Sequence, residues 1–374
     1  ISNGSYTKNE FFSIIINPDY INVEENLVST TITSKGKIGY NDDNNAVGLG
    51  FYYRDEQLLY EAGLMVGDAV TRVADCVRAV SSIDHDFTSL LNVKFNPPYV
   101  SALDLIGTMK DINLGMELTI EQKTYAYPTS PDDKYVIVLY KIENTNTVPL
   151  NNIFLGIFAD WDIQDPYKNK AGFDASRNMG YVYSLEQDTV YAAIKLLSSA
   201  SAFNYSLDNI TGGGGGVDIS ANNYTTAEKY QTLSTNRMSA GAPNGQDVAH
   251  VVSSGSFTLN PGEAETIAFA IIAGDSLTDI QTSADAAQTK YNVIGVEEIN
   301  SENNFVIYPN PTKGLINIIG DEKVKSITIR NILGENILQT KQQEIELSSY
   351  PNGVYFIEIE SDNERSIKKV LKTK

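Results

Sequence analysis

Three residue types that carry much of protein chemistry are almost missing from this sequence, which has one cysteine, two histidines and one tryptophan in 374 residues. With Cys76 alone, no intramolecular disulfide can form, so stability must come from buried cores. With only His85 and His250, a His-Glu-x-x-His zinc helix and paired-histidine metal spacing are excluded, and no Gly-x-Ser-x-Gly elbow occurs. Basic side chains are scarce as well: 28 Lys plus Arg against 47 Asp plus Glu give a net charge of −19. A surface of that sign repels nucleic acid and anionic membranes. No apolar run of about 18 residues is present to span a bilayer as a helix. The chain opens on Ile1 rather than Met and reads as the mature remainder of a longer, soluble precursor.

What is abundant points to β structure. Twenty-two Tyr and 13 Phe, with many Val, Ile and Thr, suit pleated, half-buried surfaces. Residues 1–20 hold one strand-like run ended by Asn17-Pro18 and read as the tail of an upstream domain or as an arm of the next one. Residues 21–292 then give strand after strand: 32–40, 47–53, 58–66, 114–127, 135–143, 153–161, 180–183 and 190–196. The run 135–143 is almost continuously apolar, as expected of a strand covered on both faces. One large acidic antiparallel β-sandwich, of ordinary or supersandwich type, is the expected architecture. Residues 276–291 repeat apolar positions at three or four and should form the one clear helix. The glycine run 211–216 cannot pack side chains and reads as a flexible loop, because no Gly-Lys-Ser/Thr ending makes it a phosphate cradle.

The charge balance changes near residue 300. From Asn303 onward there are ten basic and nine acidic residues (10 − 9 = +1), leaving 18 − 38 = −20 upstream. Residues 293–304 lose periodicity and read as a linker. Residues 305–374 then show about seven short strands, as in a compact immunoglobulin-like sandwich. Tyr308-Pro309-Asn310-Pro311 fixes two φ angles and withdraws two backbone donors, and Gly314 permits the next turn. A hairpin turn at Gly334 follows, then Gly353-Val354-Tyr355, then a basic last strand with Lys368 and Lys369.

In that order and spacing these residues resemble the type A C-terminal sorting domain of type IX secretion cargo from Bacteroidetes. The resemblance covers about a fifth of the chain. It implies a secreted or cell-surface protein that reaches the periplasm, is recognised through its C-terminal domain by the outer-membrane translocon and its shuttle protein, and is trimmed by a sortase. Cleavage would fall around Val296, Glu297, Ser301 and Asn304, with release or attachment to lipopolysaccharide.

Chemistry in the large domain is harder to find. Asp160, Asp162, Asp165 and Asp174 cluster on and after one strand. They read as turn residues, as hard oxygen ligands for Ca²⁺, or as carboxylates that bind or act on carbohydrate. The spacing departs from the EF-hand pattern. Trp161 reads as a buried sandwich residue or a sugar platform, His85 as a structural or surface histidine between Asp84 and Asp86, and Cys76 as a small buried hydrophobe. Residues 48–67 and 155–162 resemble non-catalytic regions of large secreted Bacteroidetes proteins, some carrying a subtilisin-like peptidase. No Asp-His-Ser catalytic segment lies in this sequence, and no catalytic residue is assigned. The expectation is a non-catalytic binding or accessory module; the alternatives are the C-terminal part of a secreted hydrolase and a glycan-binding or glycan-active domain.

Overall fold

In the computed structural model, the described residues are 18–96, 101–112, 114–198, 202–220, 223–298, 305–320, 323–331, 336–361 and 365–373. The expected strand within residues 1–20 and the turn at Gly334 lie outside them. The described chain divides into two compact units, 1–291 and 292–374.

The large unit is mainly β, as its composition predicts. One sheet has eleven strands, ordered Ala202–Asp208, Val248–Ser254, Leu150–Trp161, Leu59–Ala69, Lys37–Ile38, Val28–Thr33, Phe51–Tyr53 and Glu56–Gln57, with Tyr20–Val23, Arg72–Asp75 and Phe257–Leu259 paired off that path. The second has eight, ordered Asn169–Asp174, Met179–Ser184, Tyr191–Leu196, Ala264–Gly274, Tyr135–Asn144, Leu118–Ala126, Leu103–Asp111 and Phe87–Phe95. Every strand pair is antiparallel. One apolar cluster draws on both sheets, with Leu155, Ile157 and Trp161 from the first and Val138, Tyr140 and Phe269 from the second, so it forms the filling of a sandwich. Strand Tyr135–Asn144 lies inside its sheet and is buried on both faces, which explains its unbroken apolar sequence.

The eleven-stranded sheet also has a covered outer face. Along Leu150–Trp161, the odd residues Leu155, Ile157, Ala159 and Trp161 enter the sandwich core, while Phe154 and Phe158 join a separate cluster with Leu207, Val251 and Leu233. That period of two sends Asp160 to the outer face. The cover includes a helix the sequence analysis does not expect, α1 (Thr226–Ser234). Thr225 and Glu228 form a reciprocal capping box at its start. Its inward residues include Lys229 and Thr232 alongside Leu233, so polarity hides its periodicity.

The expected helix is present and longer, α2 (Leu277–Glu298). Ile280, Ser283, Ala284 and Ala287 are its buried positions within the large unit. It continues through Val296 and Glu297, over the first part of the stretch expected as a linker; residues 299–304 lie outside the described part. The glycine run takes a defined turn: Gly212, Gly213, Gly215 and Gly216 have φ of 83°, 53°, 68° and 83°, and a Cβ on Gly213 would stand 1.8 Å from the Val217 carbonyl oxygen. Only glycine tolerates that backbone.

The small unit holds seven strands in two sheets. Phe305–Tyr308, Leu315–Gly320 and Glu344–Glu346 form one; Asn336–Thr340, Val324–Asn331, Gly353–Ser361 and Arg365–Lys372 form the other. Phe305, Ile316, Ile327, Ile357 and Val370 fill the space between them.

Candidate functional site

The strand ends of the large sheet converge on an acidic cleft of about 910 Å³, lined by Glu61, Arg78, Asp160, Asp162, Asn209 and Asp247 among others. Its geometry follows from register. Asp160 pairs with Glu61 on one neighbouring strand and with Ala249 on the other. Two residues on, the same antiparallel register sets Asp162 opposite Asp247, and Asn209 follows the pairing of Asp208 with Val248. Two adjacent strand paths thus deliver three aspartates to one face, and a third strand adds Asn209.

Two carboxylates facing each other across a sheet repel. Arg78 lies between them: its Nε donates to Glu61 Oε2 at 2.6 Å, its Nη2 donates to Asp160 Oδ2, and its backbone N–H donates to Glu61 Oε1 at 2.7 Å. Its guanidinium also stands 5.5 Å from the Tyr60 ring centroid and 5.4 Å from that of Phe158. Burial opposes the arginine's charge, but Asp160 and Glu61 outweigh it and hold Arg78 protonated.

Asn209 Nδ2 donates to both Asp160 Oδ2 and Asp247 Oδ2, at 3.2 and 3.1 Å. Every one of these bonds goes to the Oδ2 atoms. The Oδ1 atoms of Asp160 and Asp247 are buried with no hydrogen-bond partner. Asp160 is 1% exposed. One carboxylate oxygen from each of Asp160, Asp162 and Asp247 lies within 4.8 Å of the others. Burial raises the Asp160 pKa, with Glu61 adding and Arg78 opposing. Burial and the Asp160 charge push Asp162 up to about 6; burial, Asp160 and Asp162 push Asp247 up to about 7.

The structure therefore brings together two of the four expected aspartates, Asp160 and Asp162, and adds Asp247 in place of Asp165 and Asp174. Asp165 accepts from the Tyr167 backbone N–H at 3.1 Å as the cap of a short 3₁₀ turn. Asp174 binds Ser176, Arg177 and Gln281. Neither reaches the cluster, because strand pairing rather than chain proximity sets the neighbours. Asp247, 85 residues beyond Asp162, carries no local signal of its role.

At the cleft rim, Tyr60 and Tyr167 are exposed, Tyr167 at 70%. His85 Nε2 is 3.0 Å from Asp43 Oδ2. Its sequence neighbours are engaged elsewhere: Asp84 with Lys229, and Asp86 with the Asp75 backbone N–H. Trp161 is fully buried and its Nε1–H donates to His250 Nε2 at 3.0 Å, so it offers no platform to a sugar. Cys76 is buried, and burial pushes its thiol pKa up.

In the small unit, the Tyr308-to-Pro311 segment lies against the last strand. Asn310 Nδ2 donates to Lys369 O at 2.8 Å and Asn310 Oδ1 accepts from Leu371 N–H at 2.9 Å. Gly314 lies in close approach to the next turn: a Cβ there would stand 2.0 Å from Ser348 Oγ and 2.7 Å from Glu346 Oε1, so both side chains would have to move. Tyr355 is buried and its hydroxyl donates to Pro351 O at 2.6 Å. Val354 pairs with Leu371 and Gly353 with Lys372 across the last two strands, while Lys368 and Lys369 face Ile357 and Phe356.

Residues 306–373 match the family described as the secretion system C-terminal sorting domain. The chain is type IX cargo, a secreted or cell-surface protein exported across the outer membrane through an interaction of this domain with the secretion machinery. Among the described residues, no helix is long and apolar enough to cross a membrane. No curated protein sequence matches the chain. Solved structures similar to it include a bacterial glucoamylase complexed with acarbose (14% identity, 73% of this chain and 34% of that one, TM-score 0.46). A polysaccharide lyase (10%, 94% and 47%, TM-score 0.33) and a heparan sulfate lyase from Pedobacter heparinus (10%, 99% and 44%, TM-score 0.36) are also similar. The chain spans less than half the length of each. At these scores the likeness bears on neither ligand nor activity.

Proposed function

We propose that this chain, whose tail is a secretion system C-terminal sorting domain, carries to the cell surface a non-catalytic binding module that takes a hydroxyl-rich ligand, a glycan, in its acidic cleft. The observation that supports this most is the pairing of buried carboxylate acceptors with exposed tyrosines in one cleft. Carboxylates accept hydrogen bonds from sugar hydroxyls, and a tyrosine ring packs on the apolar face of a pyranose. An exposed rim residue such as Tyr167 is free to move onto a ligand, whereas the buried Trp161 is not.

Handling of the tail follows the sorting reading in finer detail. The outer-membrane shuttle protein and the translocon take the small unit, and a sortase removes it. Proteases act on extended chain. Val296 and Glu297 lie at the end of α2, and cleavage is assigned to the stretch from Val296 through Ser301 to Asn304. Lipopolysaccharide attachment at the new end is the expected anchoring step.

The cleft is tested by titrating the purified chain against a panel of neutral and acidic oligosaccharides, with the mixtures analysed for products. Binding without turnover is expected. Tyr167→Ala should weaken it roughly two- to tenfold, the range for losing one aromatic packing contact. Absence of any binding, or binding unchanged in both Tyr167→Ala and Asp162→Ala, would reject the reading; hydrolysis products would make the module an enzyme.

A further inference from the structure

We propose that Asp160, Asp162 and Asp247 form a calcium-type divalent cation site in the floor of the cleft, and that the ion's remaining coordination positions take hydroxyls of the bound ligand. The second half rests on the polyol reading of the cleft; the first stands without it.

The geometry has three parts. The Nδ2 group of Asn209 and the Arg78 guanidinium engage Oδ2 atoms, leaving the Oδ1 atoms of Asp160 and Asp247 buried and without partners. An acceptor taken out of water and left unpaired is costly, and a pair of them side by side is more so. A cation satisfies both at once.

Charge points the same way. Glu61, Asp160, Asp162 and Asp247 line the cleft, and Arg78 offsets only one of the four. Lys37, also in the lining, is tied to Asp43 at 3.0 Å.

The donor set selects the ion class. All three are carboxylate oxygens, with no thiolate or imidazole among them, which suits hard cations over zinc or copper. The three aspartate oxygens lie within 4.8 Å of one another, near enough to share one hard cation, and a set of aspartates from strand ends suits the adaptable shell of calcium. Three protein ligands leave half or more of a coordination shell of six to eight facing the cleft. Asn209 acts as a positioning residue, fixing the two carboxylates through their other oxygens.

Calorimetric titration of the full chain with CaCl₂, together with thermal melting in calcium and in EDTA, tests the site. A single Kd on the order of 10⁻⁴–10⁻³ M is expected, as in extracellular modules, and calcium should raise the melting midpoint. Asp247→Asn should weaken binding at least about tenfold, while Asp174→Asn should leave it unchanged. Absence of calcium heat in the folded protein, or binding unchanged from that of the parent chain in both Asp247→Asn and Asp162→Asn, would overturn the site. Repeating the oligosaccharide titration in EDTA separates the two readings. Glycan binding that persists without calcium overturns the bridging role and leaves the cleft reading standing; calcium binding with no glycan binding leaves the cation site and removes the other.

Discussion

At the scale of single residues, the buried polar side chains show how little freedom the sandwich leaves. His250 accepts from the Trp161 indole N–H at Nε2, and an indole nitrogen only donates, so the histidine's own proton sits on Nδ1. Burial lowers its pKa to about 3. The unfolded chain therefore binds a proton below about pH 6.5 that the folded chain refuses, and stability due to this group falls as pH drops from there toward 3. His250→Gln keeps an acceptor for Trp161 without the titration. The destabilisation it causes should be smaller at pH 5 than at pH 7 by about 2 kcal/mol, from roughly 1.4 kcal/mol per pH unit below 6.5. Urea unfolding of both proteins at the two pH values measures it, and an equal gap at both would contradict the buried neutral histidine. Gly180 lies against the same group: a Cβ would stand 2.3 Å from Asn204 Oδ1 and 2.7 Å from His250 Nδ1. Gly180→Ala should cost about 1–3 kcal/mol by overpacking, read from the same unfolding curves.

At the scale of elements, α1 ties its sheet face together through charge. Lys229 Nζ is fully buried and donates to Asp75 Oδ1 at 2.6 Å and Asp84 Oδ2 at 2.9 Å. Burial opposes its charge, but the two aspartates outweigh it and raise its pKa. Lys229→Met would strand Asp75 in the interior and should cost about 3–5 kcal/mol. Thr225→Ala, which removes only the cap, should cost about 1 kcal/mol. If the two variants destabilised equally, the helix would be held by its cap rather than by its buried pair. This helix was legible in part: Thr225-Thr-Ala-Glu228 is a capping-box pattern. Its burial of a lysine and a threonine was not, because a period read from apolar residues passes over polar ones whose partners lie about 150 positions away.

At the scale of the whole molecule, the small unit serves export and the large unit carries the acidic cleft. Each has its own apolar core. Deleting residues 303–374 should leave the melting transition of the large unit in place and stop export, so that the truncated protein collects in the periplasm. Fractionation of cells expressing both forms checks this, and normal secretion of the truncation would refute the assignment of the tail.

Sequence alone determined the β class, the strands with clean alternation or continuous apolarity, and the address at residues 306–373. Those signals are local: side-chain period, turn chemistry and motif spacing survive in one dimension. Only the tertiary structure decided the cleft. Asp160 and Asp162 share a face because they are two apart on a strand path, but Asp247, Asn209 and Arg78 join them through pairings of other strands and a loop. Register between distant strands is fixed by the packing of the whole sandwich, and no window of sequence contains it.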